Sequence, residues 1–400
     1  MNSSQYKALL VVVTLLAVAG FSTAGYIAYT APAASSSSGG STSAFLSALI
    51  KNATAEGQVT VYAPYTPAQV QALASAFQQA YPKITVNGIP YDTATLLNKW
   101  SSEVSSGKGI ADIIIGGATA TYYAGLQTHS EMFFPSPEYQ YYPYIPYGTD
   151  NGWWGPTPIV QVFAYNTNEL KGSQIPTGFS DLAAKVQANP AFWNGKIAVV
   201  DPRQDFASFA VLYSWLDRYG NSTFWNWIAT YAKDGMVAVS SDGALLQGIA
   251  SGQYLVGFAP YFGDVFSYIE QGAPVGIIYP SEGAVVGVGG FAISSVAPHP
   301  YAAELFMNWL LSKAGQLALA KDAGAFISFR TDISSSDMAA VVGFTPPTFS
   351  YSSSNAWPPL LNGTQVTPLP ETPLQQQAMI GYQSEFASQF TQAMTGTPPS

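Results

Sequence analysis

Cysteine is absent from the 400 residues, which excludes a disulfide framework, a thiolate metal site and a lipid-modified cysteine anchor. Positive charge is scarce: 14 Lys and Arg stand against 23 Asp and Glu, for a net charge of −9. A phosphate backbone is bound by clustered positive charge, so no nucleic acid is expected as a partner. Histidine occurs only twice, as His129 and His299, and no Gly-x-Ser-x-Gly elbow occurs. A serine nucleophile with its base and orienter therefore has almost no candidates. What the chain has instead is 25 Tyr, 9 Trp, 36 Gly and 28 Pro. That many rings exceed the needs of a core and are expected at the surface or lining a groove.

The longest uncharged apolar run is Leu9 to Ala28. Twenty helical residues span about 30 Å, the thickness of a bilayer's hydrocarbon core. Lys7 is the only charge before it, which favours an inside N-terminus. The segment is read as a transmembrane anchor, with residues 1–8 cytoplasmic and a Ser-rich stalk and linker over 29–55. Two other readings stay open. Ala31-Pro32-Ala33-Ala34 suits cleavage of a signal peptide, and Lys7-Ala8 resembles the processing site of archaeal pilin-like signals. The expected location is the extracellular face of the membrane, on an archaeal cell surface. Sequons at Asn52, Asn221 and Asn362 permit glycosylation there.

Beyond the stalk, strand and helix patterns alternate. Gln58–Ala63 alternates as a strand, and Thr66-Pro67 opens a helix striped by Val70, Leu73, Ala74 and Phe77. Ile84–Ile89 and the apolar Ile110–Ile115 read as further strands, and the order implies an α/β architecture. Residues 129–158 are crowded with Pro, Tyr, Gly and Trp. From Phe179 the strand–helix units resume, including helices over 206–219 and 224–233. A long strand over 285–293 and a helix over 300–320 follow. Roughly 340 residues beyond the stalk favour two lobes over one core.

Four blocks carry a family likeness. The first is Val59-Thr60-Val61-Tyr62 with Ala76 to Val86. The second is Leu96 to Glu103 with Gly109 to Ile114. The third is Phe163 to Thr167, Phe179 to Leu182, Trp193 to Ala198 and Asp201-Pro202. The fourth is Glu282-Gly283, Gly289 to Ile293 and His299 to Leu311, closed by Phe329-Arg330. Over residues 57 to 335 the chain resembles the extracellular solute-binding proteins of ABC importers, in the two-lobed class that includes iron, thiamine, polyamine and phosphonate binders. The resemblance implies a two-lobed periplasmic-binding-protein-like (type II) fold. Lobe one would be 56–160 plus 285–342, and lobe two 161–284 with the hinge strands. Residues 343–400 would form a C-terminal extension whose helix packs on lobe one.

In such folds ligands sit outside the carboxyl ends of strands, in the cleft. That places Tyr65 and Thr66 after the first strand, and Gly117, Ala118 and Thr119 after the third. Lobe two supplies Arg203, Ser208, Ser241, Asp242 and Tyr261, and Glu282 precedes the return crossing. Arg203 can clamp a carboxylate or phosphate bidentately. Trp153 and Trp154 either stack on a ligand or staple the loop, as do Tyr141, Tyr142, Tyr144 and Tyr147. Thr66, Thr119 and Ser241 equally suit plain helix caps.

The expected function is capture of a small organic molecule or anion by lobe closure, with delivery to a membrane permease. No cofactor and no resident metal are expected. Ferric iron is an alternative, since it takes phenolate, carboxylate and imidazole donors. Iron binders of the class place paired tyrosines after the strand that here ends at Ala259. This chain has Tyr261-Phe262 there, and Ala63-Pro64-Tyr65 where a histidine is common. Two other classes remain. A hydrolase would draw on Asp92, Asp112, Asp201, Asp242 and Glu282, and an adhesive surface protein would assemble with copies of itself.

Overall fold

The computed structural model describes residues 39–117, 132, 134–142, 153–347, 349–350, 360–361, 363–370 and 373–399. Residues 44–400 form one unit. No helix among the described residues is long and apolar enough to cross a membrane. The described residues supply no such helix for the expected N-terminal transmembrane or signal segment and the anchoring through it, and residues 9–28 themselves lie outside the described residues. The described residues form the two-lobed α/β body.

The stalk expected over 29–55 gives way to a helix, α1 (Gly39–Glu56). Leu46, Leu49, Ile50 and Ala53 recur at helical spacing and turn one face onto the core, with Leu49 and Ala53 buried. The Glu56 carboxylate at its end accepts the Tyr301 and Ala302 N–H groups at 3.3 and 2.7 Å. These are orphan donors at the start of another helix, which a carboxylate stabilises.

Lobe one then runs β1 (Gln58–Ala63), α2 (Pro67–Ala80), β2 (Thr85–Pro90), α3 (Thr93–Ser106) and β3 (Ile113–Gly117). The three strands are parallel in the order β2-β1-β3. A short 3₁₀ turn (Pro137–Tyr141) precedes β4 (Trp153–Asn166). Lobe two contains α4 (Phe179–Ala188), α5 (Pro190–Trp193), β5 (Ile197–Val200), α6 (Phe206–Lys233), β6 (Val237–Val239), α7 (Asp242–Ala250), β7 (Val256–Tyr261), α8 (Phe262–Glu270) and β8 (Val275–Ile278). The two helices predicted over 206–219 and 224–233 are the two arms of α6, separated at the non-helical Gly220, whose φ of 77° suits glycine.

The return strand β9 (Val285–Ile293) pairs with β3 on one edge and with the first half of β4 on the other. The second half of β4 pairs instead with β7 and β8. β4 and β9 therefore carry the sheet from one lobe into the other. All nine residues of β9 are buried, which explains its unbroken apolar run. Helices α9 (Pro300–Leu311) and α10 (Lys313–Ala323) replace the single helix predicted over 300–320. Ser312 ends one and caps the other through Gly315 N–H. α11 (Ser335–Val342) follows.

The C-terminal extension departs from expectation. After the short strands β10 (Phe349–Ser350), β11 (Leu360–Leu361) and β12 (Thr364–Gln365), β13 (Thr367–Pro368) adds a parallel strand to the start of β9. The last helix, α12 (Pro373–Ala393), packs on lobe two rather than lobe one. Its Phe386 lies 5.2 Å from the Phe209 ring and 5.1 Å from Trp225. Met379, Phe386 and Phe390 join a core with Phe163, Phe179, Trp215 and Phe258. Each such buried side chain contributes about 1.5–3 kcal/mol, so the apolar stripe follows the lobe that offers the aromatic surface.

Candidate functional site

Three loops at strand carboxyl ends meet between the lobes. Lobe one contributes the loop after β1, where Thr66 caps α2 in a capping box with Gln69. That cap fixes the chain so that the preceding Tyr65 packs half-buried on the core. Lobe two contributes the ends of β6 and β7. Ser241 caps α7 by accepting Ala244 N–H at 3.2 Å, and Asp242 Oδ2 accepts Tyr261 N–H at 3.1 Å. One carboxylate thus joins the start of α7 to the start of α8. Ala259 holds φ at 73°, the only positive value at a non-glycine among the described residues. Alanine pays of order 1–2 kcal/mol in that region. The turn it makes redirects the chain into Pro260-Tyr261.

The electrostatics draw these groups into one site. Desolvation raises the Tyr65 phenol above its ordinary pKa, and the Tyr261 phenol adds to the shift. Tyr261 is itself pushed up to about 12, by desolvation and then by Asp264. Asp242 is raised to about 7, first by desolvation and then by the like charges of Asp264 and Asp205. Asp264, in the first turn of α8, is raised by desolvation. Among the described residues no cation pairs with Asp242 or Asp264. Desolvation therefore disfavours the anionic form of all four groups, and Tyr65–Tyr261, Tyr261–Asp264 and Asp242–Asp264 are each near enough to repel when ionised.

The other predicted residues have structural partners. Arg203 spends its guanidinium on Asp201, with Nε–Oδ1 at 2.8 Å and Nη2–Oδ2 at 2.7 Å, and covers the Phe390 ring. Its fork is thus not presented to a ligand. Ser208 is buried and donates to the Val200 carbonyl at 2.6 Å. Glu282 accepts the Phe179 and Ser180 N–H groups and starts α4. Trp154 is fully buried, between Phe134 and Tyr139. Tyr142 is buried too, donating to the Leu311 carbonyl, and Tyr141 covers Arg330. Gly117 ends β3 opposite Gly289. Ala118, Thr119, His129, Tyr144, Tyr147, Asn362 and the Trp153 side chain lie outside the described residues. Asn221 is exposed and Asn52 half-buried.

The carboxylates considered for hydrolysis are dispersed by these same partners. Asp92 caps α3, Asp201 holds Arg203, and Asp112 accepts Thr60 N–H and His299 N–H while its Oδ2 lies 3.0 Å from His299 Nδ1. Asp264 was not singled out by sequence. Its signal is the spacing Tyr261-Phe262-Gly263-Asp264, which puts phenol and carboxylate on the first turn of one helix.

Residues 72–344 match the profile of a family described as bacterial extracellular solute-binding protein. The chain belongs to that family. It is accordingly an extracellular solute-binding protein rather than an enzyme. Similar solved structures include the substrate binding protein of an ABC transporter from Agrobacterium tumefaciens. It is 17% identical, with a TM-score of 0.64, covering 86% of this chain and 97% of that one. AfuA from Actinobacillus pleuropneumoniae, with fructose-6-phosphate bound, is 19% identical with a TM-score of 0.61, covering 83% and 99%. Iron-bound HitA from Pseudomonas aeruginosa is 17% identical with a TM-score of 0.60, covering 82% and 98%. At these identities the likeness is one of fold. No curated protein matches the sequence.

Proposed function

We propose that this solute-binding protein captures ferric iron, held between the Tyr65 and Tyr261 phenolates and the Asp242 and Asp264 carboxylates. The observation that carries this reading is the joining of Tyr261 to Asp242, whose Oδ2 accepts the Tyr261 N–H at 3.1 Å, with Tyr65 of the other lobe near Tyr261 and no cationic partner for Asp242 or Asp264 among the described residues. Ferric iron is a hard cation that takes phenolate and carboxylate oxygens. The second phenol of the adjacent-tyrosine arrangement is replaced here by Phe262, which is buried in the core. Tyr65, from the strand-one loop, supplies it from the other lobe. HitA is described as iron-bound, and a related Trichodesmium protein as carrying iron and citrate. That donor set leaves coordination positions for water or a small chelating anion.

Binding on this reading drives closure. Neither lobe alone offers both phenolates, so the cation gains its full donor set only when the lobes approach, which shifts the population toward the closed form. Each phenol gives up a proton on coordination, which makes affinity rise with pH. Titration of the protein with ferric citrate tests the proposal. A visible phenolate-to-iron charge-transfer band that Tyr65→Phe and Tyr261→Phe both weaken supports it. No band and no heat of binding would rule it out.

An organic cation is the second reading. It is favoured by the lack, among the described residues, of any cluster of three His, Cys, Asp or Glu side chains able to hold a metal. Heat of binding with an amine, and none with ferric citrate, would select it.

A further inference from the structure

Four residues form one row across the crossing strands. Thr367 of β13 pairs with Val285 of β9, Val285 with Gln161 of β4, and Gln161 with Tyr261 of β7. Residues directly paired on neighbouring strands project from the same face of a sheet. Gln161 is therefore the sheet neighbour of the proposed iron ligand Tyr261. It is only 6% exposed, and its carboxamide oxygen has no hydrogen-bond partner among the described residues. The β4–β7 register slips directly after it, between Gln161 and Phe163. An irregularity of this kind bends the strand and re-aims the side chains beside it.

A buried amide oxygen without a partner carries a desolvation cost that nothing in the unliganded protein offsets. Its strand neighbours Val160 and Val162 are buried apolar groups on the opposite face of the sheet. A leucine or methionine side chain would not carry that cost. The Trp154 and Trp225 indole N–H donors, also orphaned among the described residues, are enclosed by rings: Phe134 and Tyr139 for one, Phe224 and Phe386 for the other. Only Gln161 stands in register with a ligand candidate, at the point where the sheet passes between lobes.

We infer that Gln161 is a further recognition residue, whose carboxamide oxygen accepts a hydrogen bond from a water completing the cation's shell beside Tyr261. An amide oxygen suits this role because it accepts from water and stays neutral. It adds no charge to a site already rich in carboxylates. This role rests on the ferric reading proposed above and extends it from the donor atoms to the group around them.

The test titrates wild type, Gln161→Leu and Tyr261→Phe with ferric citrate, following the charge-transfer band, and records melting without ligand. Gln161→Leu is expected to melt at or above the wild-type temperature and to bind roughly tenfold more weakly, keeping a shifted band, as loss of an outer-sphere partner does. Gln161→Met repeats the measurement if leucine lowers the melting temperature. Affinity within about twofold of wild type in a well-folded Gln161 variant, with Tyr261→Phe impaired, overturns this role alone. Absence of ferric binding by wild type overturns the ferric reading and this role with it.

Discussion

The Tyr65 phenol, from the loop after the first strand, lies near enough to the Tyr261 phenol, from the opposite lobe, that ionising one disfavours ionising the other. Nearly two hundred residues of chain separate them, yet the sheet returns through β4 and β9 so that both loops open on one cleft. Desolvation holds each phenol in its neutral form, and a bound cation reverses that preference for both at once.

Tyr65→Phe and Tyr261→Phe keep ring and packing but remove the oxygen. Outer-sphere changes cost about 10–100-fold in metal affinity, so loss of a direct donor is expected to cost at least roughly a hundredfold. The two losses should be less than additive in a double-mutant cycle if the phenols share one cation. Calorimetry on the single and double variants measures this, and full additivity would mean separate sites.

Asp242 has a folded pKa of about 7 against an ordinary 3.8. A raised carboxyl binds its proton more tightly when folded. Its stability contribution is therefore complete below about pH 3.8 and is lost as pH rises through 7. Asp242→Asn should melt higher than wild type at pH 8, by an amount equivalent to roughly 2–4 kcal/mol before solvent screening. The two melting temperatures should converge near pH 4. Parallel melting curves at all pH values would remove the basis for a strained carboxylate.

Arg203 is committed to Asp201 on lobe two. Arg203→Ala should cost roughly 1 kcal/mol of stability, as for a partly exposed ion pair, and leave ferric affinity unchanged. A large affinity loss with stability retained would restore Arg203 to the ligand site.

The Phe344 ring stacks on Phe266 of α8 with centroids 3.5 Å apart, and Phe326 meets both. These rings tie the segment after α10 to lobe two. Phe344→Ala removes a pair worth about 0.5–1.5 kcal/mol beyond its burial and should widen the interlobe distribution seen by small-angle scattering. An unchanged radius of gyration would assign the stack to packing alone.

Ala259 adopts a conformation that favours glycine. Ala259→Gly should stabilise the protein by up to about 1 kcal/mol by relieving the strain. Chemical denaturation measures it, and a loss of stability would show that the turn depends on the alanine methyl group.

Much of this fold is legible in the sequence because its signals are local. Thr66-Pro67 marks the start of α2, the apolar run of 285–293 marks a strand buried on both faces, and Gly220 marks the break in α6. The likeness in four ordered blocks is equally a property of the chain read end to end. Less legible is α1, whose Ser and Gly content masks the stripe of Leu46, Leu49, Ile50 and Ala53. The stripe of α12 is visible too, but no periodicity says which lobe will receive Phe386 and Phe390.

The site divides in the same way. Tyr65, Asp242 and Tyr261 are readable as residues at strand ends. Arg203 and Glu282 look equally suitable, because residue type does not reveal whether a charge is already answered. Only the tertiary structure gives Arg203 to Asp201 and Glu282 to the start of α4, while leaving Asp242 and Asp264 without a counter-charge among the described residues. Local preference is encoded within a few residues of chain, so the sequence by itself determined the elements and the family. Burial and mutual charge depend on groups far apart in the chain, so the choice among the polar side chains fell to the packed lobes.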